Sequence, residues 1–282
     1  MKRPFCVLGA ALLSLVACQQ PHTASNSTST DSTTHQDTSR FRMTKPPEND
    51  TMTHEQTEFY TPIPPVVKPG DRNSEPPSDA IVLFNGQDLH QWVRTDDTTQ
   101  PAAWVVENGA FTVKPGTGNI QTRQKFHDFQ LHLEFKTPKE PDTKGQNHGN
   151  SGLFLASLGK GDDGYELQIL NSYNSKTYTN GQAGSLYKQY PPLVNACKPA
   201  GEWQTYDVIW MAPEFNADST LARPATVTAF QNGVLIQNHT TLKGVTLYVG
   251  HPYYYVHGAA PIKLQDHHHK VSYRNIWLRP LE

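Results

Sequence analysis

Cysteine is scarce in this chain of 282 residues: there are three, Cys6, Cys18 and Cys197. Two of them fall within the first twenty positions, so the body of the protein has one cysteine and cannot form an internal disulfide. No histidine or glycine-rich turn adjoins Cys197 to activate its thiol, and it reads as a buried small residue. An excess of either charge is missing too, with 24 Lys and Arg against 26 Asp and Glu. That balance excludes a protein held to nucleic acid or anionic lipid by bulk charge. No glycine-rich loop opens a helix after a strand, so the usual dinucleotide-binding fingerprint is absent. Helical periodicity is almost lacking, and no internal repeat is visible.

The one sustained apolar run is Phe5 to Ala17, preceded by Lys2 and Arg3. It is shorter than the ~20 residues a membrane span needs and reads as a secretory signal over residues 1–17. Leu15-Val16-Ala17-Cys18 is similar to a bacterial lipobox, in which the cysteine is lipidated and becomes the mature N-terminus. Acyl chains on Cys18 would anchor the protein to a membrane surface while its body stays in water. Gln19 after the cysteine, where Asp would retain the protein at the inner membrane, points to a cell-envelope location at the outer membrane.

Residues 18–57 follow as a tether. Eleven of the twenty residues from Pro21 to Arg40 are Ser or Thr, too little apolar surface to offset chain entropy. Residues 58–78 carry six prolines together with Phe59, Tyr60, Ile63, Val66 and Val67. They read as an extended arm whose apolar side chains lie against the domain. From residue 79 to 282 short apolar runs alternate with turn signals. Ile81-Phe84 precedes Asn85-Gly86, Trp104-Glu107 precedes Asn108-Gly109, and Asn232-Gly233 joins Ala225-Phe230 to Val234-Gln237. Phe111-Val113, Phe129-Phe135, Gly152-Leu158, Tyr165-Leu170, Tyr206-Ala212 and Val271-Leu278 are further strand candidates. Even spacing with hairpin dipeptides predicts one all-β sandwich or barrel.

Several motifs recur in unbroken order from Asp79 to Leu281. They are Asp79-Ala80-Ile81-Val82-Leu83-Phe84-Asn85-Gly86-Gln87-Asp88-Leu89 with Trp92, then Asn150-Ser151-Gly152-Leu153-Phe154-Leu155 and Tyr165-Glu166-Leu167-Gln168-Ile169-Leu170. Tyr190-Pro191-Pro192 with Asn195, Gly201-Glu202-Trp203, Leu264-Gln265-Asp266-His267 and Tyr273-Arg274-Asn275-Ile276 complete them. In these the chain resembles the 3-keto-disaccharide hydrolase domain family. The resemblance implies a concanavalin A-like jelly roll of two curved antiparallel sheets with a sugar-binding concave face. It also implies cleavage of glycosides already oxidised to a ketone at C3. Three positions depart from the family's pattern: His268 and Lys188 stand where glycine is usual, and Asn171 where Asp is common.

Alternation along the Tyr165–Leu170 strand puts Tyr165, Leu167 and Ile169 on one face and Glu166 and Gln168 on the other. By itself the second face fits a solvated surface better than a site; the resemblance makes it the concave, ligand-facing side. Ordinary glycosidases need two carboxylates about 5.5 Å apart or more. Gln168, an amide, stands where the second would come from this strand. A 3-keto sugar needs less, because the ketone acidifies the C2 proton. One base, one proton donor for the leaving oxygen and hydrogen bonds to the enediolate then suffice. The expectation is that Glu166 and His267 transfer protons, while Gln168, Asn150 and Lys188 orient hydroxyls or stabilise the oxyanion. Tyr254, within the aromatic stretch Tyr248 to Gly258, is expected at the cleft rim. The five tryptophans read mostly as core, and Arg274-Asn275 as a clamp on the last strand. His267 and His269 would face one way on a strand and could hold a divalent ion. No third ligand is evident and no metal is assigned. A separate sugar 3-oxidoreductase would have to supply the ketone. The alternative is a non-catalytic carbohydrate-binding lipoprotein using the same face; an envelope scaffold without sugar affinity is a third reading.

Overall fold

The computed structural model describes residues 51–139 and 144–281. Cys18 and the serine- and threonine-rich stretch lie outside these residues. The chain divides into two units after Ile63. The described part of the first holds one 3-10 turn, His54–Thr57. The second unit begins at Pro64.

Its elements are β1 (Ile81–Phe84), β2 (Trp92–Arg94), β3 (Val105–Glu107), β4 (Ala110–Thr112), β5 (Ile120–Thr122), β6 (Phe129–Lys136), β7 (Ser151–Ser157) and β8 (Gly164–Ile169). Then come β9 (Gln204–Met211), β10 (Glu214–Phe215), β11 (Leu221–Arg223), β12 (Thr226–Gln231), β13 (Val234–Thr241), β14 (Lys263–Leu264) and β15 (Ser272–Pro280). An eight-stranded antiparallel sheet runs β13-β12-β9-β6-β15-β4-β3, with β1 also paired to β15. A five-stranded antiparallel sheet runs β2-β5-β14-β7-β8, and β10-β11 form a separate ribbon. This is the expected all-β jelly-roll sandwich.

Alternation explains the core. On β6, Phe129, Leu131, Leu133 and Phe135 point inward; on β8, Tyr165, Leu167 and Ile169 do the same; and all seven are fully buried in one apolar cluster. Trp92, Trp104 and Trp210 join that cluster. Trp277 is buried as well but lies outside it, stacked on His132 at 5.3 Å on the opposite face of the large sheet. Trp203 sits under the Arg274 guanidinium, 4.1 Å from its ring centre.

The expected clamp on the last strand is present. Arg274 donates to Glu134 (2.6 Å), and Asn275 donates to Glu134 (2.9 Å) and to the Ser74 carbonyl (2.7 Å). Asn275 adopts a positive φ of 46° where β15 shifts register against β6. From Pro64 on, the proline-rich segment is held differently from expectation. Val66 is 99% exposed. Hydrogen bonds to its main chain hold the segment instead: Ser78 N donates to Lys68 O (2.9 Å), and the Ser74 carbonyl accepts from the side chains of Asn275 and Trp277.

Candidate active site

The outer face of the small sheet carries a cleft of about 410 Å³. Its floor is β8. Strand register places Lys263 beside Phe154 and Phe154 beside Glu166, with Gly152 beside Gln168. Gly152 leaves the room that Glu166 occupies, since a Cβ built there would stand 2.5 Å from Glu166 Oε1. The outer edge of β8 is covered rather than free. Tyr187 N donates to the Glu166 carbonyl (3.2 Å), Gln168 N to Ser185 O (2.9 Å), and Glu166 N to Thr246 Oγ1 (3.0 Å). Those contacts fix Tyr187 and Thr246 at the cleft wall.

Glu166 and His267 line the same hollow, as do Gln168 and Asn150. Gln168 donates through Nε2 to Asn150 Oδ1 (2.8 Å), and Asn150 donates to Gln146 O (2.9 Å), so the two amides are locked together. Glu166 is buried, and no described residue donates a hydrogen bond to its carboxylate. Burial, reinforced by the Asp162 charge and opposed by Lys263, pushes its carboxyl up to about 8. His267 follows a turn set by Asp266, which accepts from Gly118 N (3.0 Å) and His268 N (3.0 Å). Two further cleft residues, Gln146 and Gln265, hold buried amide oxygens to which no described residue donates. Such acceptors are costly to leave unmade and suit a ligand rich in hydroxyl groups.

Two expected contacts are placed elsewhere. Lys188 is not in the lining; its ammonium lies over the rings of Tyr178 (4.4 Å), Tyr248 (5.0 Å) and Tyr187 (5.9 Å), which form the wall. Tyr254 is turned inward: its hydroxyl donates to Leu242 O (2.8 Å) and accepts from Ala225 N (3.0 Å), a tie between loop and core. Of that aromatic stretch, Tyr248 is the residue that lines the cleft. The rings of His267 and His269 stack at 6.1 Å. Among the described residues no group of three or more His, Cys, Asp or Glu is gathered as a metal ligand set would be. Cys197 is buried, 3.4 Å from Gln204 Nε2, and burial pushes its thiol up.

Sequence reasoning missed Asp162, Tyr178, Tyr187 and Thr246, which reach the cleft from loops that no strand pattern marks. Two of the family departures do have a physical reading. Lys188 (φ 63°) and His268 (φ 64°) both occupy left-handed backbone, the conformation that makes glycine common there.

A match to the 3-keto-alpha-glucoside-1,2-lyase-like domain covers residues 79–279. The chain belongs to that family. It is 27% identical over 151 residues to a 3-keto-disaccharide hydrolase of Bacteroides thetaiotaomicron, a stretch covering 44% of this chain and 49% of that protein. The chain thus spans about half the length of this curated relative. A provisionally named glycosyl hydrolase of Parabacteroides distasonis is 48% identical, with a TM-score of 0.76 over 82% of this chain and 97% of that one. A second structure from that organism, also provisionally named a glycosyl hydrolase, is 21% identical, with a TM-score of 0.52 over 72% and 94%. The second likeness bears on the fold alone. For this member of the lyase-like family, the shared body is the sandwich carrying the cleft.

Proposed function

We propose that this protein is a glycosyl hydrolase-like enzyme that cleaves 3-keto-glycosides by elimination and rehydration. The observation that carries the reading is a buried carboxylate, Glu166, to which no described residue donates a hydrogen bond, in a cleft that also holds His267. The ketone at C3 acidifies the C2 proton; Glu166 takes that proton and an enediolate forms. The electron pair then forms the C1–C2 double bond as the C1–O bond breaks, and His267 protonates the departing oxygen. Water adds across the double bond, its oxygen to C1 and a proton to C2, so the net change is hydrolysis. A carboxyl raised toward 8 is a stronger base than an ordinary one once ionised, and it titrates close to working pH. Gln168, locked to Asn150, and the free acceptors of Gln146 and Gln265 suit sugar hydroxyls.

The setting we propose is the cell envelope, with the Cys18 anchor holding the enzyme at a membrane surface and a separate oxidoreductase making the ketone. That part rests on the N-terminal sequence and on the substrate's chemistry.

A second reading is direct hydrolysis with paired carboxylates, favoured by Asp162 in the same cleft. Turnover of a 3-keto-glucoside in D2O separates the two. Elimination leaves deuterium at C2 of the released sugar, whereas direct displacement leaves protium there and would cleave the unoxidised glucoside as well.

A further inference from the structure

Lys263 is fully buried on the site face of β14, one strand removed from Glu166. Its ammonium does not reach the cleft. It donates to the carbonyls of Gly161 (2.6 Å) and Asp163 (2.8 Å) and lies 4.2 Å from the centre of the Phe154 ring. The two carbonyls flank Asp162, whose side chain lines the cleft from the loop joining β7 to β8. Asn119 supplies a second tie: its Nδ2 donates to Asp162 Oδ1 (3.0 Å), while its Oδ1 accepts from Asp266 N (2.8 Å), next to His267. No described residue donates to Asp162 Oδ2. A buried ammonium is an expensive way to close a surface loop, since desolvation weighs against the charged form. The expense is explained if the loop must present its carboxylate at one place.

We propose that Asp162 is a substrate-binding residue, accepting a hydrogen bond from a sugar hydroxyl, and that Lys263 is its positioning residue. The inference rests on the carbohydrate reading above and adds two residues to that site.

A double-mutant cycle on the full-length protein tests it. Asp162→Asn should raise KM for methyl 3-keto-glucoside about tenfold with kcat nearly unchanged, the loss of one charged hydrogen bond. Lys263→Met should raise KM by a similar factor, and the double variant should be no worse than either single one, because both remove the same contact. Multiplying losses, or an unchanged KM in Asp162→Asn, would overturn the proposal. Should Lys263→Met fail to fold, Lys263→Gln takes its place in the cycle, and the Asp162→Asn result stands alone as a test. If the wild-type protein turns over no 3-keto-glucoside, the catalytic reading fails. The same cycle read by calorimetric affinity for that sugar still decides the roles of Asp162 and Lys263, and absence of binding overturns both.

Discussion

Glu166 on the small sheet and Glu134 on the large one occupy equivalent places: mid-strand, buried, on the face turned away from the core. Their surroundings are opposite. Glu134 accepts from Arg274 and Asn275 and lies beside His132, which is itself 2.6 Å from Asp207. Burial alone would raise Glu134, but His132, Asn275 and Arg274 bring it down to about 2. Burial would likewise lower His132, and the Asp207 and Glu134 carboxylates carry it up to about 9. Glu166 has no such company, and burial dominates. A satisfied buried carboxylate holds strands together; an unsatisfied one is left free to exchange a proton.

The sharpest break in this comparison would be catalytic. Glu166→Gln should cut turnover of a 3-keto-glucoside by about 1,000-fold, within the range for a general base, while Glu134→Gln leaves kcat near wild type. Equal losses in the two variants would erase the distinction. Stability gives the next largest contrast. Glu166 has a folded pKa raised above its unfolded value, so the folded state keeps a proton that the unfolded chain has already released. Stability is therefore fullest below about 4.5 and falls as pH rises through 8. Glu166→Gln removes that loss and should exceed wild type by about 5 kcal/mol at pH 9, with no gap at pH 4, by urea melts. Glu134→Ala should do the reverse, costing about 2 kcal/mol at pH 7 after discounting for the half-exposed Arg274. Its cost should shrink as the wild-type carboxyl titrates, in the acid range below 4.5. The smallest effect is expected at the turn before β15. His268→Gly relieves a left-handed backbone and should change stability by less than about 1 kcal/mol, in the stabilising direction, with unchanged turnover.

The fold was legible where strands are long enough to alternate. β6, β8, β9 and β15 show their inward faces directly in the sequence, and Asn-Gly dipeptides mark two hairpins. β2, β5 and β14 went unread because two or three residues carry no period and, unlike at β3 and β4, no Asn-Gly dipeptide adjoins them; β14 also contains a lysine. The site was legible as far as it lies on β8 and its motif neighbours, hence Glu166, Gln168, Asn150 and His267. Asp162, Tyr178, Tyr187 and Thr246 come from loops whose paths are set by tertiary hydrogen bonds to β8 and Lys263, which no local pattern encodes. Tyr254 and Lys188 show the converse: a suggestive side chain in the right neighbourhood was claimed by the core or by the tyrosine wall.

The most direct measurement is kcat/KM against pH on a 3-keto-glucoside with a nitrophenolate leaving group, which departs without a proton from His267 and leaves Glu166 as the titrating group that sets the rate. If Glu166 in its ionised form takes the C2 proton, the rate climbs with pH and levels off above an apparent pKa of about 8. A profile that is flat from pH 5 to 9, or that falls through 8, would contradict that role.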